Sequence, residues 1–301
     1  MMMYLIAGLG ALMGFMLLGA AFMIDSQESK QFHKRNVAKV LLFGVVWQIV
    51  AICYAFTIYV AGFFRGLEWR RVAASHCAAE GISKLMTALF FGEVVVEGLE
   101  HIPQGSIKGK CGPAIIAPNH SSMVDVLLCA MLAGDFTWVA KSTVFLVPGV
   151  GQCLYLAGTV PLSRGKKSSA MQMLEGCRKA LDDGWSVLIY PQGTRDRLSW
   201  RPWKYGAFKL AIEKQVPIVP VSIILPDDTW TSGSCKLIIK AHPPVAPPKP
   251  VGPTEEMILE RKEMSPELWK KMDAAIQKMT KKVESASFSA FPKDHRFRKS
   301  E

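Results

Sequence analysis

His120 and Asp125 stand five residues apart in the run Ala114–Asp125 (AIIAPNHSSMVD). The apolar half of this run reads as a strand that delivers Asn119 and His120 to its end. Ser121 or Ser122 is a good cap for a helix beginning there, with Asp125 about one turn inside it. Five positions on a regular helix amount to about 140° of rotation, so the two side chains do not share a face. They meet only if His120 lies before the helix and folds back over its first turn. Asp125 would then hold one ring nitrogen and leave the other as a general base. Taken alone, a His and an Asp at this spacing are more often unrelated surface residues, so the case for chemistry rests on the rest of the chain.

Three further runs supply it. Tyr190–Arg195 (YPQGTR) follows an apolar strand, and its proline and glycine mark a tight turn ending in a cation. The N–H groups of such a turn, with Arg195, suit a phosphate. Ala157–Arg164 (AGTVPLSR) is a short strand ending in Arg164, followed by Lys166 and Lys167. Val216–Val221 (VPIVPV) is an apolar strand whose two prolines predict an edge or irregular position. Between Lys141 and Lys214 there are twelve Lys or Arg against five Asp or Glu, a concentration beside strand ends that points to a polyanionic ligand. The other histidines show no metal-ligand spacing. Seven cysteines form no CxxC pair and are odd in number, which predicts a reducing compartment and small buried hydrophobes.

The elements that must position these residues follow from the charge pattern. The chain has 301 residues, 36 Lys plus Arg against 25 Asp plus Glu, and is nevertheless 50% hydrophobic. Met1–Ile24 and Val40–Phe64 contain no charged residue or histidine. Each is long enough to cross a hydrocarbon core, and the first lacks the basic start of a signal peptide, so residues 1–70 read as an uncleaved membrane anchor. Basic residues flank both runs almost equally, which leaves open two spanning helices or a hairpin dipping into one leaflet.

From Phe91 onward, strands are expected at Glu93–Glu97, Ala114–Ala117, Phe136–Ala140, Val187–Tyr190 and Ile218–Ile224. Helical patterns lie at Met123–Leu132, Ser168–Leu181 and Lys204–Glu213. The expected fold class is α/β: a central mixed sheet flanked by helices over residues 71–242, preceded by two N-terminal membrane helices or a membrane hairpin. Six prolines in His242–Pro253 predict an extended linker, 243–264, that ends the compact domain. Residues 265–301 carry a basic amphipathic helix, with Trp269, Met272, Ile276, Met279 and Val283 on one stripe. That helix either packs on the domain or lies on anionic lipid. Net charge alone would allow nucleic acid as a partner, but no nucleic-acid motif accompanies it and two apolar runs argue against it.

Together the runs resemble a known family. NHSSMVD is similar to the NHxxxxD block of the 1-acyl-glycerol-3-phosphate acyltransferases, AGTVPLSR to their second block, YPQGTR to their FPEGTR block and VPIVPV to their fourth. Order and spacing match too, as do Lys141–Gly151 (KSTVFLVPGVG) and Lys204–Leu210 (KYGAFKL). The resemblance covers Phe91–Leu225. It implies that His120 is the base and Asp125 its orienting partner, acting without a cofactor on acyl-CoA and the sn-2 hydroxyl of lysophosphatidate. It implies substrate binding by Asn119, Lys141, Arg164, Gln192, Gly193, Thr194 and Arg195, with no metal. Membrane lipids are the implied surroundings, in the endoplasmic reticulum with the catalytic domain toward the cytosol. Gln192 departs from the family's Glu, which bears on acceptor choice more than on acyl transfer. Another lysophospholipid acceptor, a catalytically silent lipid-binding protein and a membrane-tethered thioesterase or hydrolase stand beside this reading.

Overall fold

The structure, a computed structural model, describes residues 14, 16–18, 34–163, 167–196, 199–249, 266–292, 295 and 297–298. Most of the first charge-free run, Arg164 and residues 250–265 therefore lie outside the described residues. Helix α1 (Lys34–Ala61) is followed by α2 (Gly66–Ala73), which passes through a π-helical turn, Ala74–Ala78, into α3 (Ala79–Phe90). The remaining order is β1 (Val94–Glu97), β2 (Ile115–Pro118), α4 (Val124–Ala130), β3 (Phe136–Lys141), α5 (Val150–Leu156), β4 (Val160–Leu162), α6 (Lys167–Asp182), β5 (Ser186–Leu188), α7 (Gly206–Lys214), β6 (Ile218–Ile224), β7 (Leu237–Ala241) and α8 (Pro266–Ser289).

Among the described residues seven strands form one sheet in the order β1-β7-β6-β2-β5-β3-β4. Every pairing is parallel except β6 with β7, so the sheet is mixed as expected. The apolar runs are continuous because both faces are covered. Ile116 and Leu188 pack into one core with α3, α4 and α5, whereas Ile115 and Val187 pack into a second with α6, α7 and α8.

Several expectations need correction. Pro220 lies in β6, between β2 and β7, not at an edge. It is tolerated because it stands opposite His242, one residue past the end of β7: the His242 N–H donates to its carbonyl, and only one ladder bond is forgone. Strand β7 was not among the expected strands, although Leu237–Ile239 is a short apolar run that follows a Ser/Gly turn. The segment after it does not leave the domain at once, since Val245 exchanges two backbone hydrogen bonds with Ile218. Helix α4 starts at Val124, and Met123 before it already has helical dihedrals; the capping contact comes from Ser122, whose Oγ accepts the Val124 N–H at 3.4 Å, as expected.

Helix α8 is packed on the domain. Its stripe of Met272, Ile276, Met279 and Val283 is buried in the second core, leaving several lysines on the outer side.

Within α1, Val37–Ala61 is long and apolar enough to cross a membrane, one such helix among the described residues where two were expected. Val40, Phe43, Trp47, Ala51, Ala55 and Ile58 recur at helical spacing and are buried. Phe43 sits edge-on to Phe90, Phe91 and Trp230, each with centroids 5.2–5.6 Å away. The opposite face exposes Leu42, Ile49, Phe56, Tyr59 and Val60. Gly149, before α5, lets the two helices approach: a Cβ there would lie 2.5 Å from the Gln48 carbonyl.

Candidate active site

Strands β2 and β5 run parallel and end side by side, and the crevice beyond their carboxyl ends is where open α/β sheets place ligands. Strand β2 leads into Asn119 and His120, and β5 into Tyr190 and the following turn. Asn119 is buried and commits its side chain to the backbone of Ile223. Its Oδ1 accepts the Ile223 N–H at 2.7 Å and its Nδ2 donates to the Ile223 carbonyl at 3.1 Å. It acts as a brace that carries the β2–β6 pairing one step further and fixes where His120 begins.

His120 does fold back over the first turn of α4. Its Nδ1 is 2.9 Å from Asp125 Oδ2, and the backbone N–H groups of Ser121 and Ser122 donate to the same oxygen. Asp125 is completely buried and His120 nearly so. Buried carboxylates are costly unless well supplied with donors, and here they converge from the turn itself. A proton on Nδ1 shared with Asp125 places the imidazole's basic lone pair on Nε2.

The backbone of His120 is gripped from the YPQGTR run. The side-chain Oε1 of Gln192 accepts the His120 N–H, and the Asp196 N–H donates to the His120 carbonyl at 3.0 Å. Gln192 Nε2 donates to the carbonyl of Arg201 at 3.3 Å, so this side chain bridges two loops. Two of the sequence blocks are thus one interlocked structure.

The ring of Tyr190 stacks on that of His120, centroids 3.9 Å apart and planes 21° off parallel. Its hydroxyl lies 3.5 Å from Cys129 Sγ. Burial pushes both the Tyr190 phenol and the Cys129 thiol above their usual ranges, so each stays neutral beside the imidazole. The stacking of Tyr190 on His120 depends on an approach of strand ends that a linear motif does not encode.

His120 opens onto a cavity of about 1030 Å³. Lys141, at the end of β3, lines it together with Gly193, Thr194, Arg195 and Lys204. Gly193 closes the turn by donating its N–H to the Tyr190 carbonyl at 3.0 Å. It has φ +72°, and a Cβ there would lie 2.7 Å from Lys204 Nζ, so the glycine lets this lysine cross the turn. In the sequence Lys204 opens the KYGAFKL run without a site role, and its place at the cavity depends on the fold. Elsewhere the lining is mainly apolar, with Trp47 and Ala51 from α1, Leu127 from α4 and Met173 and Leu174 from α6. An amphiphile with an anionic end and a hydrocarbon chain matches this division.

Residues 93–224 match the family described as Acyltransferase. The alpha 1-acyl-sn-glycerol-3-phosphate acyltransferase of Homo sapiens is 31% identical over 162 residues, which are 50% of this chain and 54% of that one. The Homo sapiens beta protein of the same name is 37% identical over 112 residues, 36% of this chain and 40% of the relative. A chloroplastic protein of that name from Brassica napus is 30% identical over 147 residues, 48% of this chain and 41% of the relative. The chain thus spans about half or less of the length of these curated relatives. Among solved structures, the 1-acyl-sn-glycerophosphate (LPA) acyltransferase PlsC of Thermotoga maritima superimposes with TM-score 0.59 at 24% identity, over 86% of this chain and 98% of that one. This last similarity concerns the fold. The resemblance carried by the four blocks is therefore to relatives that bear the family's name.

Proposed function

We propose that this chain, with its Acyltransferase-family stretch at residues 93–224, transfers an acyl group from acyl-CoA to the sn-2 hydroxyl of lysophosphatidate, giving phosphatidate. The observation that carries the reading is the buried hydrogen bond between His120 Nδ1 and Asp125 Oδ2, with His120 lining a mainly apolar cavity. The names of the relatives support the choice of reaction.

In this mechanism the acceptor's anionic end is held near Arg195, Thr194 and Lys204, with its hydroxyl at His120 Nε2. His120 takes the hydroxyl proton as the oxygen attacks the thioester carbonyl. The tetrahedral intermediate then collapses, the C–S bond breaks and the thiolate of CoA takes the proton back from the imidazolium. Asp125 supports the transient positive charge, and the face of Tyr190 lies against it. No acyl-enzyme is formed. Lys141 is assigned to the coenzyme or phosphate, and Arg164 keeps its phosphate role as a proposal.

Trp47 and Ala51 place α1 in the cavity wall, so the element that is apolar enough for a membrane also borders the site. This supports delivery of the acceptor from the bilayer. The endoplasmic reticulum and a cytosol-facing site are proposed from sequence resemblance, and fractionation with protease protection tests them.

Purified protein supplied with acyl-CoA and a panel of lysophospholipids, followed for free CoA and lipid product, tests the function. Phosphatidate formed from lysophosphatidate, lost by about 10²-fold or more in His120→Ala, is the expected result. Product from a different head group would change the acceptor, and free fatty acid in place of phospholipid would identify a hydrolase. Full transfer by His120→Ala would refute the assigned base.

A further inference from the structure

Helix α8 lies outside the family-matched residues, yet a series of contacts leads from it to the base. Ser287 anchors it: its Oγ donates to the Val221 carbonyl at 3.0 Å, and its own carbonyl accepts from Ser222 Oγ at 2.7 Å. Ser222 Oγ is also 2.7 Å from His242 Nε2. About one turn earlier, Glu284 accepts the indole N–H of Trp200 at 2.6 Å, and the Trp203 backbone N–H reaches the same carboxylate. The Trp200 ring is enclosed by Phe288, Phe291 and Phe297, with centroids 5.1–5.7 Å away.

The residue after Trp200 makes the connection inward. Arg201 turns its carbonyl to Gln192 Nε2 and its guanidinium to Asp196 Oδ2, the latter at 2.7 Å. Gln192 and Asp196 are the two residues that hold the backbone of His120. Lys204 follows Trp203 and donates its N–H to the Pro191 carbonyl at 3.0 Å, which brings its side chain to Gly193 and the cavity. Burial raises the Glu284 carboxyl pKa, and the two N–H donors oppose that shift. A half-buried acid that would be poor packing by itself is thus accounted for as an acceptor for this loop.

We infer that Glu284 and Trp200 are positioning residues of the acceptor site: α8 clamps residues 199–204, and the clamped segment sets Gln192, Lys204 and the seat of His120. The kinetic consequence rests on the acyl-transfer reading, whereas the clamp itself is open to a measurement that needs no catalysis.

The test uses the full chain in detergent micelles, as wild type, Glu284→Ala and Glu284→Gln. Kinetics with lysophosphatidate and acyl-CoA, amide hydrogen exchange at Asp196 and Lys204 and the thermal midpoint are measured for each. Glu284→Ala is expected to raise KM for lysophosphatidate about fivefold or more, the effect of losing one hydrogen bond, and to speed exchange at both amides. KM for acyl-CoA should stay within about twofold, the pattern of a lost acceptor-binding contribution. Glu284→Gln, which keeps an oxygen for the indole, should recover most of the acceptor affinity. Wild-type exchange and wild-type KM in Glu284→Ala would overturn the proposal. So would an equal fall of kcat and both affinities in the two variants, in step with a lowered thermal midpoint. Wild-type protein inert toward every lysophospholipid would instead count against the proposed function, and amide exchange would still decide the clamp.

Discussion

Gln192 holds His120 by the backbone: its Oε1 accepts the His120 N–H while its Nε2 donates to the Arg201 carbonyl. This explains how an amide serves where the family has an acid. The acceptor half of the interaction needs only an oxygen, and the donor half needs an N–H that a carboxylate lacks.

Gln192→Glu should therefore keep the grip on His120 and set a carboxylate oxygen against the Arg201 carbonyl. Leaving that pair mismatched costs about 1–3 kcal/mol. At this chain length each kcal/mol lowers Tm by roughly 1.5–2 °C. The accompanying kinetic change should be a raised KM for lysophosphatidate with kcat near wild type. Thermal unfolding and steady-state assays check both, and an unchanged Tm with identical rates on every lysophospholipid would show that Arg201 is indifferent to the substitution.

Asp125→Asn retains an oxygen for the two backbone N–H donors and for His120 Nδ1, so the turn should persist. What disappears is the negative charge opposite the imidazolium that forms during transfer. A fall in kcat of about 10²-fold is expected, with little change in KM for either substrate. A variant with normal kcat would mean that Asp125 only shapes the turn.

Gly193→Ala forces a side chain into a left-handed backbone position, which costs about 1–2 kcal/mol, and into the path of Lys204 Nζ. The lysine can swing away, so folding should survive at a slightly lower Tm. Acceptor affinity should fall more than acyl-CoA affinity, because the displaced cation lines the cavity. Equal losses for both substrates would place Lys204 outside the acceptor's phosphate site.

His242 gives the stability a pH dependence. Burial first, then Lys240 and His101, lower its pKa, with Glu97 opposing. The unfolded chain therefore takes up a proton before the folded one does. The contribution is fully present above the unfolded value of about 6.5 and is lost as pH falls from there through the folded pKa. Tm should drop over that window in wild type and drop less in His242→Gln. The difference between the two curves is the measurement, since Glu284, with its raised pKa, acts in the opposite direction on acidification. Parallel curves would rule out His242 as a source of the dependence.

Much of the framework was legible because it is local. Ile218–Ile224 was expected from a nearly continuous apolar run and is found with those bounds, since a strand covered on both faces needs apolar residues at most positions; the exception, Ser222, is buried with its hydroxyl bonded to His242 and Ser287. The approach of His120 to Asp125 was expected as the one arrangement that lets the pair meet, and a five-residue turn is short enough for the sequence to specify it. The alternating elements likewise announced an α/β sheet.

The rest was decided by contacts between distant residues. Asn119, expected to bind substrate, braces Ile223, 104 positions away, and Gln192, expected to do the same, joins His120 to Arg201 across 72 and 9 positions. Lys204 becomes a cavity cation because Gly193 lets it cross the turn, and the central place of Pro220 depends on where β7 ends. Apolar α1 becomes a wall of the cavity through Trp47 and Ala51. Periodicity and turn chemistry act over a few residues and so can be read along the chain. Which strand ends lie side by side, and which side chains then face one another, is fixed only when the whole sheet closes and each buried polar group has to find a partner.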